Sequence, residues 1–165
     1  MALVLAPTRE LANQIYEASM QFALRVGVSI KVVYGGQDIF NQKKKLKEGV
    51  DILIGTPGRL IDLIERDCLK LEKVFYFVLD EADRMLDMGF LPQVKEIIKE
   101  LPKDRQTLMW SATWPKEVQV LANDVCLYNP VTIHVGDDNL TINSSIIQNV
   151  LCMNEGKKFD ELYRI

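Results

Sequence analysis

Several things are scarce in this chain of 165 residues. No apolar run approaches the roughly 20 residues that a membrane-spanning helix needs, which excludes a helical transmembrane segment. The opening MALVLAP is apolar over only five residues, lacks a basic leader and runs into Pro7-Thr8-Arg9 without an A-x-A pattern. It does not read as a secretory signal, so an intracellular protein, nuclear or cytoplasmic, is expected. Cysteine is limited to Cys68, Cys126 and Cys152, an odd and widely spaced set without C-x-x-C. A disulfide framework and a zinc site are excluded, and buried free thiols are expected. His134 is the only histidine and is assigned no chemistry. The triplets Asn139-Leu140-Thr141 and Asn143-Ser144-Ser145 match the N-glycosylation pattern but are read as accidental in a chain without a secretory signal. An excess of positive charge is missing too: 20 Lys and Arg against 23 Asp and Glu leave a net charge of −3 and a pI near 5.3. No global positive field draws in nucleic acid, so any such contact must be local.

What is present is ordinary globular material, 48% apolar and 26% charged, in a length that suits one domain with a sizeable core. Short β-rich runs alternate with longer stretches of helical spacing, the pattern of βαβ units around a parallel sheet. The runs are Ala2 to Ala6, Ile30 to Tyr34, Asp51 to Ile54, Val74 to Leu79, Gln106 to Trp110 and Val131 to Val135. Most are apolar throughout, as strands covered by helices on both faces should be, which predicts a doubly wound α/β sheet. Leu11, Ile15, Ala18, Phe22 and Val26 suggest one face of a helix capped by Thr8. Val94, Ile97, Ile98 and Leu101 suggest another after Pro92, and Val118, Leu121 and Ala122 a third with Pro115 in its first turn.

The last segment changes character. Gly136-Asp137-Asp138-Asn139 is a polar break, followed by a seventh strand-like run, Ile146 to Cys152, and a helix starting near Lys157. The expected division is a first domain over 1–136 and, over 137–165, a connector with the first elements of a second domain.

Val74 to Leu79 delivers Asp80 and Glu81 at its C-terminal end, the edge where open α/β sheets place their ligands. An aspartate there can hold a Mg²⁺ that bridges nucleotide phosphates, and the adjacent glutamate can orient and deprotonate the attacking water. An acidic pair that merely favours the start of the next helix is the competing reading.

The tetrad is Asp80-Glu81-Ala82-Asp83, within VLDEADRMLDMG from Val78 to Gly89. This resembles the DEAD-box ATP-dependent RNA helicases. Pro7-Thr8-Arg9-Glu10-Leu11-Ala12 is similar to the family's motif Ia, Gly35-Gly36 to its GG doublet, Thr56-Pro57-Gly58-Arg59 to motif Ib and Ser111-Ala112-Thr113 to motif III. The resemblance implies a RecA-like fold, the P-loop NTPase fold, for the first domain. It implies ATP and Mg²⁺ as ligands, with Asp80 at the metal and Glu81 as base. It also implies RNA held by Pro7, Thr8, Arg9, Gly35, Gly36, Thr56, Pro57, Gly58 and Arg59. Small residues in strand-to-helix turns expose amides and helix N-termini to phosphates, so binding through the sugar-phosphate backbone without sequence preference is expected. Ser111 and Thr113 should hydrogen-bond Asp83, a link that in the family couples ATP to RNA. Lys43 to Lys47 reads as a solvated helix face, and Trp110 and Trp114 as core or interface residues.

No G-x-x-x-x-G-K-[ST] loop occurs in the sequence. The resemblance therefore implies a parent helicase whose P-loop and second RecA-like domain lie outside these residues, with this fragment alone inactive as an ATPase. A non-catalytic RNA-binding or interaction module is the rival reading. A DNA helicase is disfavoured by the DEAD, PTRELA and SAT wording. In the family, the P-loop strand lies between the strand ending at Ser111 and Val131 to Val135. A slot is expected there, to be filled by Ile146 to Cys152 of the same chain or of a second copy in a strand-swapped dimer.

Overall fold

Five four-residue strands form one parallel sheet in the computed structural model, which describes residues 1–126, 130–135, 145–147 and 149–164. They are β1 (Ala2–Leu5), β2 (Ile30–Val33), β3 (Ile52–Gly55), β4 (Tyr76–Leu79) and β5 (Gln106–Met109), in the spatial order β2-β3-β1-β4-β5. The register aligns Val33, Gly55, Leu5, Leu79 and Met109 in one row at the C-terminal edge. The chain winds from β1 to one edge, returns through β3 and crosses to β4 on the far side. Its direction thus reverses at β1, which creates the crevice where α/β folds bind ligands.

Among the described residues six α-helices alternate with or follow the strands, α1 (Arg9–Val26), α2 (Ile39–Lys47), α3 (Pro57–Glu65), α4 (Ala82–Asp87), α5 (Leu91–Lys99) and α6 (Lys116–Val125), and a separate α7 (Lys158–Leu162) comes near the end of the chain. Helices α1 to α6 load the two faces of the sheet unequally. Leu3, Leu5, Leu53, Phe77 and Leu79 are fully buried on one face with Leu60 and Leu63 of α3, Ile97 of α5 and Leu121 of α6. The other face holds Ile54 and Ile30 against Ala12 and Ala23 of α1. Val4 and Val78, which point to that side, are only half-buried. Most of the strands are apolar throughout, yet this face is the thinner layer.

The face of α1 differs from the predicted one. Leu11 and Ile15 do pack on the sheet, but Phe22 and Val26 are 70% exposed, and the buried positions are Ala12 and Ala23. Small side chains let the helix backbone approach the sheet, so the contact stripe runs along the alanines rather than the bulkier residues. Thr8 caps α1 as expected, accepting from the Leu11 amide at 3.2 Å. Gly55 is another close approach: a Cβ there would lie 2.9 Å from Val33 Cγ2 and 3.1 Å from Leu60 Cδ1, so its hydrogen lets α3 close over β2 and β3.

Two strand expectations fail. Val131 to Val135 forms no strand, and its valines and isoleucine are 83–92% exposed. The described residues of Ile146 to Cys152 form none either. Both runs have strand composition, but a strand exists only where a neighbour takes its N–H and C=O groups. Among the described residues the expected slot is not formed, and β5 is an edge of the sheet. The chain divides into two compact units, Met1–Pro130 and Val131–Ile165, ahead of the expected Gly136 boundary. In the second, a 3-10 turn (Glu155–Lys157) leads into α7. The polar break at 136–139 and both glycosylation-like triplets, apart from Ser145, lie outside the described residues. The cysteines are free, but Cys68 and Cys126 are half-buried and Cys152 is exposed, not the buried set expected. No helix among the described residues is long and apolar enough to cross a membrane.

Candidate functional site

Each ladder hydrogen bond at the C-terminal edge continues one residue beyond its strand. The Thr56 amide donates to Val33 O at 3.1 Å, Ala6 to Gly55 O at 3.0 Å, Asp80 to Leu5 O at 3.1 Å and Trp110 to Leu79 O at 2.9 Å. These bonds place the motifs in a row that their order in sequence conceals. Along the edge come the Gly35-Gly36 turn after β2, Thr56 to Gly58 after β3, and Pro7 to Arg9 after β1. Asp80-Glu81 after β4 and Ser111 to Thr113 after β5 complete it. With strands about 4.8 Å apart, the three turns occupy one half of the edge and the carboxylates the other.

On the first half, Pro7 and Pro57 are buried, whereas Arg9, Gly36 and Gly58 are exposed. Thr56 is the N-cap of α3, yet its hydroxyl makes no capping bond, and the helix start carries no acidic residue in its first turn. The first amides of α3 remain available to an anion. Gly36 adopts φ +80°, and the Arg9 guanidinium lies directly against it: a Cβ on Gly36 would stand 2.6 Å from Arg9 Nη1. Motif Ia and the glycine doublet therefore meet in space.

Arg59 departs from its expected role. It is 9% exposed; Nη1 donates to Gln42 Oε1 at 2.9 Å and Nη2 to the Gln37 carbonyl at 3.0 Å. The guanidinium braces α3 against the doublet turn and presents no free fork to a phosphate. Its partners were not singled out by sequence reading. Gln42 sits in the lysine-rich helix α2 yet is only 4% exposed, while Lys44, Lys45 and Lys47 around it are solvated as expected. Glutamine at a helix position facing inward is the one signal that was readable.

On the second half, Asp80 Oδ1 accepts the Glu81 amide at 3.0 Å. Glu81 has φ 49° and ψ 55°, left-handed values that an L-residue holds only when its surroundings impose them. The imposing bonds are Ala82 N–H to Trp110 O at 2.9 Å and Met85 N–H to Glu81 O at 3.0 Å. Glu81 Oε2 is buried without a hydrogen bond; Arg84 Nη1 stands 3.5 Å away, an ion-pair distance without bonding geometry. This backbone feature left no trace in the residue type.

Asp83 is tied to the strand beside it. Its Oδ2 accepts from the Thr113 hydroxyl at 2.8 Å and the Thr113 amide at 2.9 Å. The Asp83 amide donates to Ser111 Oγ at 3.2 Å, and that hydroxyl donates to the Thr113 carbonyl at 2.8 Å. Burial pushes the Asp83 carboxyl up, but the Thr113 hydroxyl and amide, the Arg84 amide and the Ser111 hydroxyl outweigh it and hold it below the usual carboxylate value. Trp110 and Trp114 are 60% and 45% exposed, so neither is core. His134 is exposed and lies in the non-strand run.

A parallel α/β sheet with an acidic pair on one half of its C-terminal edge and open turns on the other defines a RecA-like domain. A crystal structure of the yeast DEAD-box splicing factor Prp28 superposes with a TM-score of 0.73 at 36% identity, covering 76% of this chain and 30% of that one. The DEAD/DEAH box helicase model matches residues 1–121, and the chain belongs to that family. Among curated relatives, DEAD-box ATP-dependent RNA helicase 20 of Oryza sativa subsp. japonica is 47% identical over the whole chain and 33% of its own length. The probable ATP-dependent RNA helicase ddx17 of Dictyostelium discoideum is 52% identical over 96% of this chain and 20% of its own length. ATP-dependent RNA helicase DBP2 of Eremothecium gossypii is 49% identical, over 99% and 29%. The chain thus spans about a fifth to a third of the relatives it matches.

Proposed function

We propose that this chain is the part of an intracellular ATP-dependent RNA helicase that carries the metal and water side of the ATPase site together with one face of the RNA track. The observation supporting this most is the ordered edge, with turns suited to phosphate on β2, β3 and β1 beside carboxylates on β4. In this reading the RNA backbone lies along Gly35-Gly36, Thr56 to Gly58 and Pro7 to Arg9, and Arg59 positions those turns without contacting RNA. Asp80 takes a Mg²⁺, directly or through water, and Glu81 orients the attacking water. The fit is chemical: adjacent carboxylates suit a hard cation, and the buried Glu81 Oε2 has no hydrogen-bond donor occupying it. Bound Mg²⁺ would neutralise the charge that develops on the phosphates of ATP. Asp83, Ser111 and Thr113 transmit the nucleotide state across β4 and β5 to the track. Residues 137–165 serve as the connector and first elements of a second RecA-like domain.

Arg9→Ala tests the RNA reading. Affinity for unrelated single-stranded RNAs is expected to fall about tenfold for each, the order of one charge-assisted hydrogen bond. The slope of log K against log salt should become shallower by about 0.7. A loss confined to one sequence would contradict backbone recognition.

The sequence carries no G-x-x-x-x-G-K-[ST], so the purified 165-residue chain is expected to release no phosphate from ATP above background, with or without RNA. RNA-stimulated release that disappears in Glu81→Gln would overturn this.

Among the described residues no strand covers the outer edge of β5, and Ile147 and Val150 are 87% and 85% exposed in a run of strand composition. We extend the proposal to pairing of that run with β5 of a second copy, giving a strand-swapped dimer. Sedimentation should show a concentration-dependent dimer that Val150→Pro dissociates; a strict monomer at every concentration removes it.

A further inference from the structure

The most heavily bonded polar side chain of the track makes no contact with any predicted phosphate position. Gln42 projects from α2 into a buried site and uses its whole amide: Oε1 accepts from Arg59, while Nε2 donates to the Tyr34 carbonyl at 3.1 Å and to Gln37 Oε1 at 3.3 Å. Gln37 Nε2 in turn donates to the Tyr34 hydroxyl at 2.9 Å, and Asn13 Nδ2 donates to the same hydroxyl at 3.2 Å. Five side chains thereby join α1, the end of β2, α2 and α3. Those are the elements that carry the Thr8-Arg9, Gly35-Gly36 and Thr56 turns.

We propose that Gln42 is a positioning residue for RNA binding, its buried amide fixing the Gly35-Gly36 turn against the N-terminus of α3 and thereby beneath Arg9. The inference rests on the RNA-track reading above and deepens it. Packing alone does not call for an amide here. An apolar side chain would fill the position without the cost of burying two polar atoms, as Leu46, one turn further along α2, does. Arg59 explains the choice. Its buried guanidinium has Asp62 as an ion-pair neighbour at 3.7 Å from Nε, a separation too long for a hydrogen bond, and its hydrogen bonds go to neutral oxygens of Gln42 and Gln37. Gln42 grips this cation and both ends of the doublet turn, at Tyr34 and Gln37, with a single side chain. Without it, Arg59 keeps one bond to the turn, and the Tyr34 carbonyl loses its side-chain donor. A turn released by an ångström would carry Gly36 away from Arg9 and misalign three phosphate contacts at once.

The experiment compares the full chain with Gln42→Met, Tyr34→Phe and Arg9→Ala, using two single-stranded RNAs of unrelated sequence. Gln42→Met retains length and helix propensity but removes the amide; Tyr34→Phe removes only the hydroxyl. Gln42→Met should weaken binding of both RNAs by about 3- to 30-fold and Tyr34→Phe by about 2- to 10-fold. In Gln42→Met the salt slope should also fall by about 0.7, the contribution of one phosphate contact to a single strand, because Arg9 is no longer placed over the turn. A lower melting temperature with affinity and slope unchanged in both variants would mean that the network only packs the domain, and the inference would be wrong. Should Gln42→Met not fold, Tyr34→Phe alone decides between these outcomes by its affinity. Arg9→Ala separates the two levels of the argument. Weakened binding in Arg9→Ala with wild-type binding in the network variants sinks the positioning role only, whereas wild-type binding in Arg9→Ala sinks the track reading beneath it.

Discussion

Glu81→Gln is expected to lower RNA-stimulated ATP hydrolysis by about 10² to 10⁴ while leaving Mg-nucleotide binding largely in place. The measurement belongs in a protein that joins this chain to a phosphate-binding loop, where steady-state turnover and nucleotide affinity can be read separately. The substitution keeps the shape of the side chain and removes only its basicity. The surroundings leave that carboxylate uncommitted: Oε2 is buried without a hydrogen-bond donor, and Arg84 approaches no closer than 3.5 Å. A structural carboxylate would be saturated with donors, as Asp83 is. The left-handed backbone at Glu81 costs on the order of 1–3 kcal/mol, and the bonds through Ala82 and Met85 maintain it. Asp80→Asn should behave differently and weaken Mg-nucleotide binding too, since its carboxylate is read as the metal ligand. Wild-type hydrolysis in Glu81→Gln would remove the base assignment.

The contrast between Asp83 and Glu81 marks where sequence reading reaches and where it stops. Residue type and spacing carried the acidic tetrad, the hydroxyls at 111 and 113, and the strands from which they project. All five strands of the sheet coincide with β-rich runs of the sequence, because a buried strand needs little beyond β-forming, mostly apolar residues and a stop signal. Val131 to Val135 meets that description as well and forms no strand, because pairing is a property of the neighbour and is not written in the run itself. The buried face of α1 escapes periodicity for a related reason: the pattern marks large apolar residues, whereas Ala12 and Ala23 are the residues of the helix that are buried. Positive φ is legible only where glycine advertises it, so Gly36 was visible as a turn and Glu81 was not. From sequence, Arg59 looks like a charge offered to phosphate, because arginine beside a helix N-terminus usually is. Its commitment to Gln42 and Gln37 depends on residues 17 and 22 positions away in the chain, brought together only by the order of β2 and β3.

Gly36→Val should weaken binding of single-stranded RNA by at least about tenfold, equally for unrelated sequences, while Gly35→Ala changes it little. Both glycines belong to the doublet, but their requirements differ. Gly35 has no positive φ, and a Cβ there meets nothing within 4 Å. Gly36 sits at φ +80°, where a β-branched residue is a steric outlier, and its Cβ would lie 2.6 Å from Arg9 Nη1 and 3.7 Å from Cζ. The variant can keep the turn, at a cost of roughly 1–3 kcal/mol, only by driving the guanidinium off it. Alternatively, it can relax the turn, which pulls the Gln37 carbonyl from Arg59 and the doublet amides from their places along the edge. Either route removes a phosphate contact, so the salt slope should become shallower along with the loss of affinity. Arg9→Ala combined with Gly36→Val should then cost little more than Gly36→Val alone, because the two changes remove the same contact. Full additivity of the pair would show that Arg9 binds independently of the turn, and wild-type affinity in Gly36→Val would remove the doublet from the RNA track.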